Sequence, residues 1–275
     1  MNDLLKAAVL GVVEGVTEFL PISSTGHLII VDDFIGFGGD FANSFKILIQ
    51  LGAVLAVVVY FRRRLIPFGR VMPPEERKAA WSVWIKSAVA LVPAVVIGLL
   101  VGKYVEARLF NHIVVSVALV AGGVVLVAVD RRGNGGSRYS SVDEIGYCTA
   151  FLIGLIQCVA MVPGVSRSAA TIIGAMALGA SRVAAAEFSF FLAVPTMIAA
   201  SVYALARHGF ALSSGEASAL AVGFVVSFAV ALAVVAGLMR FISTRNFRPF
   251  GYYRIALGIA VLAYWYCTAG GVMGW

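Results

Sequence analysis

Six apolar runs, at roughly Phe45–Phe61, Ser87–Gly102, Ile113–Val129, Phe188–Ala206, Ala217–Met239 and Ile255–Ala269, limit what this chain can fold into. With a few flanking residues each, they approach the about 20 residues that a helix needs to cross the hydrocarbon of a bilayer. Backbone polar groups find no water there, so such runs must pair their own N–H and C=O groups as helices. Of 275 residues, 61% are hydrophobic and only 13% charged, a balance foreign to soluble domains. The expected fold is an all-α integral membrane protein, one membrane domain over residues 1–275 with six transmembrane helices.

The net charge of +7 raises the question of an acidic partner such as nucleic acid. Its distribution answers otherwise. Arg62, Arg63, Arg64, Arg70, Arg77 and Lys78 fall between the first two runs, Arg131, Arg132 and Arg138 after the third, and Arg240, Arg245 and Arg248 between the last two. The opposite loops hold only Lys103 and Arg108 in one and Arg207 in the other. Positive charge in alternate loops marks the cytoplasmic side, so these clusters read as orientation signals and headgroup contacts. To keep them on one side, the segment between the third and fourth runs must enter the bilayer and return. Residues 1–40 do the same from the other face, which leaves both termini extracytoplasmic.

The stretch from Leu4 onward has one lysine at its basic end and no small-residue cleavage motif, and so reads as mature chain rather than a signal peptide. Cys148, Cys158 and Cys267 are scattered without metal-ligand spacing and read as small hydrophobes. Gly133–Ser137 and Gly209–Ser214 read as flexible connections. Phe247, Tyr252, Tyr253, Trp265, Tyr266 and Trp275 read as interfacial anchors of the last run, without chemistry.

Two further segments are apolar but interrupted. Gly11–His27, GVVEGVTEFLPISSTGH, carries two glutamates, hydroxyls and a histidine; Gly154–Thr171, GLIQCVAMVPGVSRSAAT, carries an arginine. Ionisable groups are costly in hydrocarbon, so they are expected to serve a site. Pro21 and Pro163-Gly164 break these segments, because proline cannot donate a backbone hydrogen bond. The reading is two re-entrant helical hairpins, at 4–32 and 145–180. Ser23, Ser24 or Thr25 can cap the returning helix of the first, and Ser166 or Ser168 that of the second. The two helix starts then turn unpaired N–H groups towards one cavity, an arrangement suited to phosphate. A single constant shift superposes Gly11 on Gly154, Glu14 on Gln157, Ser23 on Ser166, Phe45 on Phe188 and Tyr60 on Tyr203. Opposite entry sides make this an inverted-topology repeat of approximately 1–130 and 140–275.

Glu14 and Glu18 lie one helical turn apart, on one face, where like charges repel. A divalent metal, Arg167, His27 or a shared proton can neutralise them. The planar fork of Arg167 matches phosphate oxygens, and hydroxyls with helix-start N–H groups add donors. Ser24 can attack if His27 or Glu18 takes its proton, or the glutamates and a metal can activate water; the spacing leaves these routes open. Gly11, Gly15, Gly26 and Gly164 suit either a thin junction or ordinary small-residue packing. Broken helices with midplane charges also fit the rival reading, a secondary transporter or flippase for an anionic lipid or small anion. A membrane scaffold would leave the matched acidic and basic hairpins unexplained.

The run Glu14-Gly15-Val16-Thr17-Glu18-Phe19-Leu20-Pro21-Ile22-Ser23-Ser24-Thr25-Gly26-His27 and the run Pro163-Gly164-Val165-Ser166-Arg167-Ser168-Ala169-Ala170-Thr171 are long and specific. In both, and over essentially its whole length, the chain resembles the bacitracin-resistance-type undecaprenyl pyrophosphate phosphatase family. The resemblance implies a bacterial inner-membrane enzyme that hydrolyses undecaprenyl diphosphate to the monophosphate and inorganic phosphate, recycling the peptidoglycan lipid carrier and conferring bacitracin resistance. It implies six spanning helices with two re-entrant hairpins, a homodimer and a divalent cation, Mg2+ or Ca2+. It also implies Glu14 and Glu18 as the acidic, metal-binding pair, Ser24 as nucleophile, His27 as acid/base group and Arg167 as catalytic arginine. Ser23, Thr25, Gly164, Ser166, Ser168 and Thr171 are then substrate-binding candidates.

Overall fold

The computed structural model describes residues 2–38, 40–68, 72–131, 136–208 and 212–269. Arg70, Arg132, Trp275 and the connections at 133–135 and 209–211 lie outside the described residues, as do the side chains of Lys103 and Arg207. The order is α1 (Asp3–Thr17), α2 (Ser24–Ile35), α3 (Asp40–Tyr60), α4 (Arg62–Leu65), α5 (Pro74–Leu109), α6 (His112–Arg131), α7 (Tyr147–Gln157), α8 (Arg167–Ala177), α9 (Arg182–His208), α10 (Ser214–Thr244) and α11 (Arg248–Ala269). Among the described residues no strand forms; Tyr139 and Ala180 make an isolated bridge.

All six apolar runs form helices, in α3, α5, α6, α9, α10 and α11. Among the described residues four segments are long and apolar enough to cross a membrane: Pro74–Gly102, His112–Arg131, Arg182–Tyr203 and Ser214–Thr244. The other two helices carry polar groups that the protein uses internally. In α3, Lys46 pairs with Asp32 of α2, and in α11, Arg254 is fully buried.

The helices approach closely where side chains are small. α1 packs on α10 and α7 on α5; α3 packs on α10 and α9 on α5; α6 packs on α11 and α3 on α9. A Cβ at Gly11 would lie 2.7 Å from the Gly223 carbonyl oxygen, and one at Gly154 would lie 2.0 Å from that of Ala90. Only glycine permits those two crossings. With lipid outside, such dispersion contact rather than exclusion of water holds helices together.

Not every basic loop residue faces headgroups. Arg64, in the short α4, binds Asp143 at 2.8 Å and Glu187 of α9 at 2.7 Å. Arg182 binds the fully buried Asp130 at 2.6 Å. These pairs join loops to helix ends and are part of the packing.

Both interrupted segments break at the expected places, near Pro21 and Pro163-Gly164. After α1, residues Glu18–Ile22 form the turn and Ser23 caps α2, its hydroxyl accepting from the Gly26 N–H at 3.3 Å. After α7, a 3-10 turn at Cys158–Met161 leads to Ser166, whose hydroxyl accepts from the Ala169 N–H at 3.2 Å and caps α8. Ser23 (φ 75) and Ser166 (φ 72) are the non-glycine residues in the left-handed region among the described residues. That conformation costs a serine about 1–2 kcal/mol. The same strain at the two superposed caps marks them as positions held for a purpose.

Candidate active site

Three residues at helix ends form a connected chain. Glu18 follows the last turn of α1, Ser24 opens α2 and Arg167 opens α8. The Ser24 hydroxyl donates to Glu18 Oε2 at 2.6 Å, and Arg167 Nη2 donates to Glu18 Oε1 at 2.9 Å. Arg167 Nη1 donates to the Ser189 carbonyl at 2.8 Å, while its Nε, also buried, has no acceptor. The Arg167 guanidinium lies over the Phe19 ring at 5.9 Å, and Phe19 meets Phe190 edge to face at 5.3 Å. An aromatic face on one side and backbone on the other fix the direction of the fork.

Glu18, Ser24 and Arg167 line a cavity of about 470 Å³. Glu18, Ser24, Thr25, Gln50, Gln157, Gly164, Ser166 and Arg167 form its polar part. Leu91, Val95 and Leu99 of α5 with Met197 and Ala200 of α9 continue it as an apolar wall. The first residues of α2 and of α8 both border this space, so two helix N-termini with their partial positive charge are turned to one cavity.

Of the residues expected in the site, the cavity therefore gathers Glu18, Ser24, Thr25, Gly164, Ser166 and Arg167. The others are not among its lining residues. Glu14 is fully buried one turn before Glu18; neither of its carboxylate oxygens has a hydrogen-bond partner. Ser23 is engaged as a cap. Ser168 donates to the Leu20 carbonyl at 2.8 Å, tying one hairpin to the other, and lies 3.0 Å from Ser166 Oγ. Thr171 bonds the Arg167 carbonyl at 2.9 Å and Ser189 Oγ at 2.6 Å, holding the start of α8 against α9. His27 turns away: Nδ1 meets the Ser23 carbonyl and Nε2 the Tyr253 hydroxyl, each at 2.7 Å, with the two rings stacked.

Hard divalent cations take oxygen ligands, and two neighbouring carboxylates fit that chemistry. The unpartnered oxygens of Glu14 are the kind of orphan a cation satisfies. Among the described residues no cluster of three His, Cys, Asp or Glu occurs.

Arg254 is the principal residue that motif reading missed. Fully buried on α11, it donates to the carbonyls of Pro21 (3.2 Å) and Gly164 (3.1 Å), one at each break, and to those of Ala118 (3.2 Å) and Leu119 (3.4 Å) on α6. Its signal was present, an arginine at the mouth of an apolar run and apart from the basic loop cluster. Tyr253, read as an anchor, is the partner of His27. Gln50 carried no charge to draw notice, and Gln157 stood out only as the residue on which Glu14 is superposed.

A family model described as bacitracin resistance protein BacA matches residues 7–260. The chain is 46% identical to the undecaprenyl-diphosphatase of Limosilactobacillus fermentum over 270 residues, 96% of this chain and 98% of that protein. It is 44% identical to undecaprenyl-diphosphatase 1 of Clostridioides difficile, over 96% of this chain and 97% of that protein. With the undecaprenyl-diphosphatase of Pseudomonas syringae pv. syringae it shares 46% identity, over 94% and 93%.

Proposed function

The chain belongs to the bacitracin resistance protein BacA family, and from that premise we propose how it acts as an undecaprenyl-diphosphatase. It hydrolyses undecaprenyl diphosphate to undecaprenyl phosphate and inorganic phosphate. The observation that carries the mechanism is the Arg167–Glu18–Ser24 chain at the junction of a polar pocket and an apolar wall.

The prenyl chain lies along the wall between α5 and α9, where each buried methylene contributes about 0.8 kcal/mol. Tail burial supplies affinity, leaving headgroup contacts to favour the transition state. The diphosphate sits against the starts of α2 and α8, and the free Nε–H of Arg167 takes a phosphoryl oxygen. Ser24 Oγ attacks the terminal phosphorus while its proton passes to Glu18 Oε2, the acceptor it already faces. The bond to the bridging oxygen breaks, undecaprenyl phosphate leaves, and water hydrolyses the phosphoserine. Both ring nitrogens of His27 are engaged elsewhere, which favours Glu18 as the base and His27 as a prop for Ser23. Glu14 and Glu18 would hold an Mg2+ or Ca2+ ion, which supplies neutralisation of phosphate charge.

Six spanning helices with two re-entrant hairpins form the finer architecture of this reading, in an inverted repeat. Its support is that packing partners exchange under the constant shift: α1 on α10 becomes α7 on α5, and α3 on α10 becomes α9 on α5. Both termini lie outside the cytoplasm of the bacterial inner membrane, the cavity opens to that side, and the protein pairs as a homodimer.

The test is release of inorganic phosphate from pure undecaprenyl diphosphate by the full chain in detergent, where no compartments exist. Steady release is expected, with Arg167→Ala lowering kcat by about 10²–10³-fold. No release by the wild-type chain would return the field to the transporter reading.

A further inference from the structure

Gln157 closes α7 at the edge of the cavity, next to the 3-10 turn whose Ala160 and Met161 also line it. It is 3% exposed, and neither its Nε2 nor its Oε1 has a hydrogen-bond partner. A buried amide without partners lowers stability, so its presence calls for a reason. Two features of its place supply one. It lines the same cavity as Arg167, Ser166 and Ser24, and it is the residue on which the constant shift superposes Glu14. One half of the molecule thus carries a carboxylate where the other carries the uncharged amide of nearly the same shape. Against an anionic headgroup the exchange matters: a carboxylate here would face the phosphates with like charge, whereas an amide offers N–H donors.

We infer that Gln157 is a substrate-binding residue, its Nε2 donating to a non-bridging oxygen of the bound diphosphate, an inference that rests on the diphosphate-lipid reading above. The amide is left unpartnered so that the substrate can complete it. This separates stability from activity in a way that a packing role would not.

The experiment compares the full-length wild type with Gln157→Leu and Gln157→Glu, measuring kcat/KM for undecaprenyl diphosphate, Tm, and the rise in Tm produced by inorganic pyrophosphate. For Gln157→Leu the expected result is an unchanged or higher Tm, since an orphan polar group has been removed, with kcat/KM lowered about 10- to 100-fold and the pyrophosphate shift at least halved. Gln157→Glu should fall further, because it adds like charge without changing shape. A Gln157→Leu chain with intact Tm, kcat/KM within about twofold of wild type and a full pyrophosphate shift overturns the inference. So does a Gln157→Leu chain of reduced Tm alongside a fully active Gln157→Glu, which would make the amide structural. A wild type that is stabilised by pyrophosphate but releases no phosphate refutes the hydrolase reading instead, and the variants' shifts still decide the contact. A wild type with neither response sinks both.

Discussion

The short hydrogen bond from Ser24 to Glu18 aims a hydroxyl proton at a carboxylate, while the His27 ring is stacked on Tyr253 and bonded at both nitrogens. The two residues should therefore answer differently to substitution. Ser24→Ala should lower kcat by at least about 100-fold, and acid quenching of the wild type with lipid labelled in the terminal phosphate should trap phosphoserine at Ser24. His27→Gln, which keeps a donor near the Ser23 carbonyl, should stay within about tenfold of wild-type kcat, in line with a propping role rather than proton transfer. Full activity in Ser24→Ala, or no activity in a well-folded His27→Gln, would exchange their roles. At this scale the motif spacing made Glu18, Ser24 and Arg167 legible, because each is a charged or nucleophilic group in an apolar segment. It could not separate Ser166, which borders the cavity, from Ser168 and Thr171, which turn to Leu20 and Ser189. That distinction depends on partners from another hairpin and from α9.

For the hairpins, the breaks at Pro21 and Pro163-Gly164 were readable because a missing N–H ends a helix wherever it falls, and the hydroxyls that follow were readable as caps. The left-handed backbone at Ser23 and Ser166 was not, since serine has no preference for it. A β-branched residue tolerates that conformation worse than serine and cannot cap. Ser23→Val should therefore destabilise the fold by about 2–4 kcal/mol, seen as a lowered Tm. Ser23→Gly relieves the strain and loses only a few tenths of a kcal/mol of capping, so its Tm should hold while turnover falls as Ser24 loses its fixed aim. Equal turnover in Ser23→Gly and wild type would show that the strained cap does not orient the nucleophile. Helix existence was the most legible feature overall, but composition understated α3 and α11, because Lys46 and Arg254 answer to groups on other elements.

Across the whole molecule, orientation is the property that the loop charges foretell and labelling can check. In a chain with Cys148, Cys158 and Cys267 replaced by alanine, Thr25→Cys should react with a membrane-impermeant maleimide from the extracytoplasmic face and be protected by undecaprenyl diphosphate. Reaction from the cytoplasmic face alone would reverse the assigned opening. Arg254 joins α11 to both breaks and to α6. Arg254→Ala would strip donors from carbonyls at both breaks and on α6, at a cost of about 3 kcal/mol or more, with Tm and activity falling together. Retained Tm would mean that other donors take over those carbonyls. A single cation bonded to both breaks also acts as a bolt through the two hairpins: neither can swing past the other without stranding a carbonyl in a dry interior. If the proposed reading holds, rocking one half against the other is thereby hindered, and a long-tailed lipid would enter sideways from the bilayer between α5 and α9 and leave by the same slot.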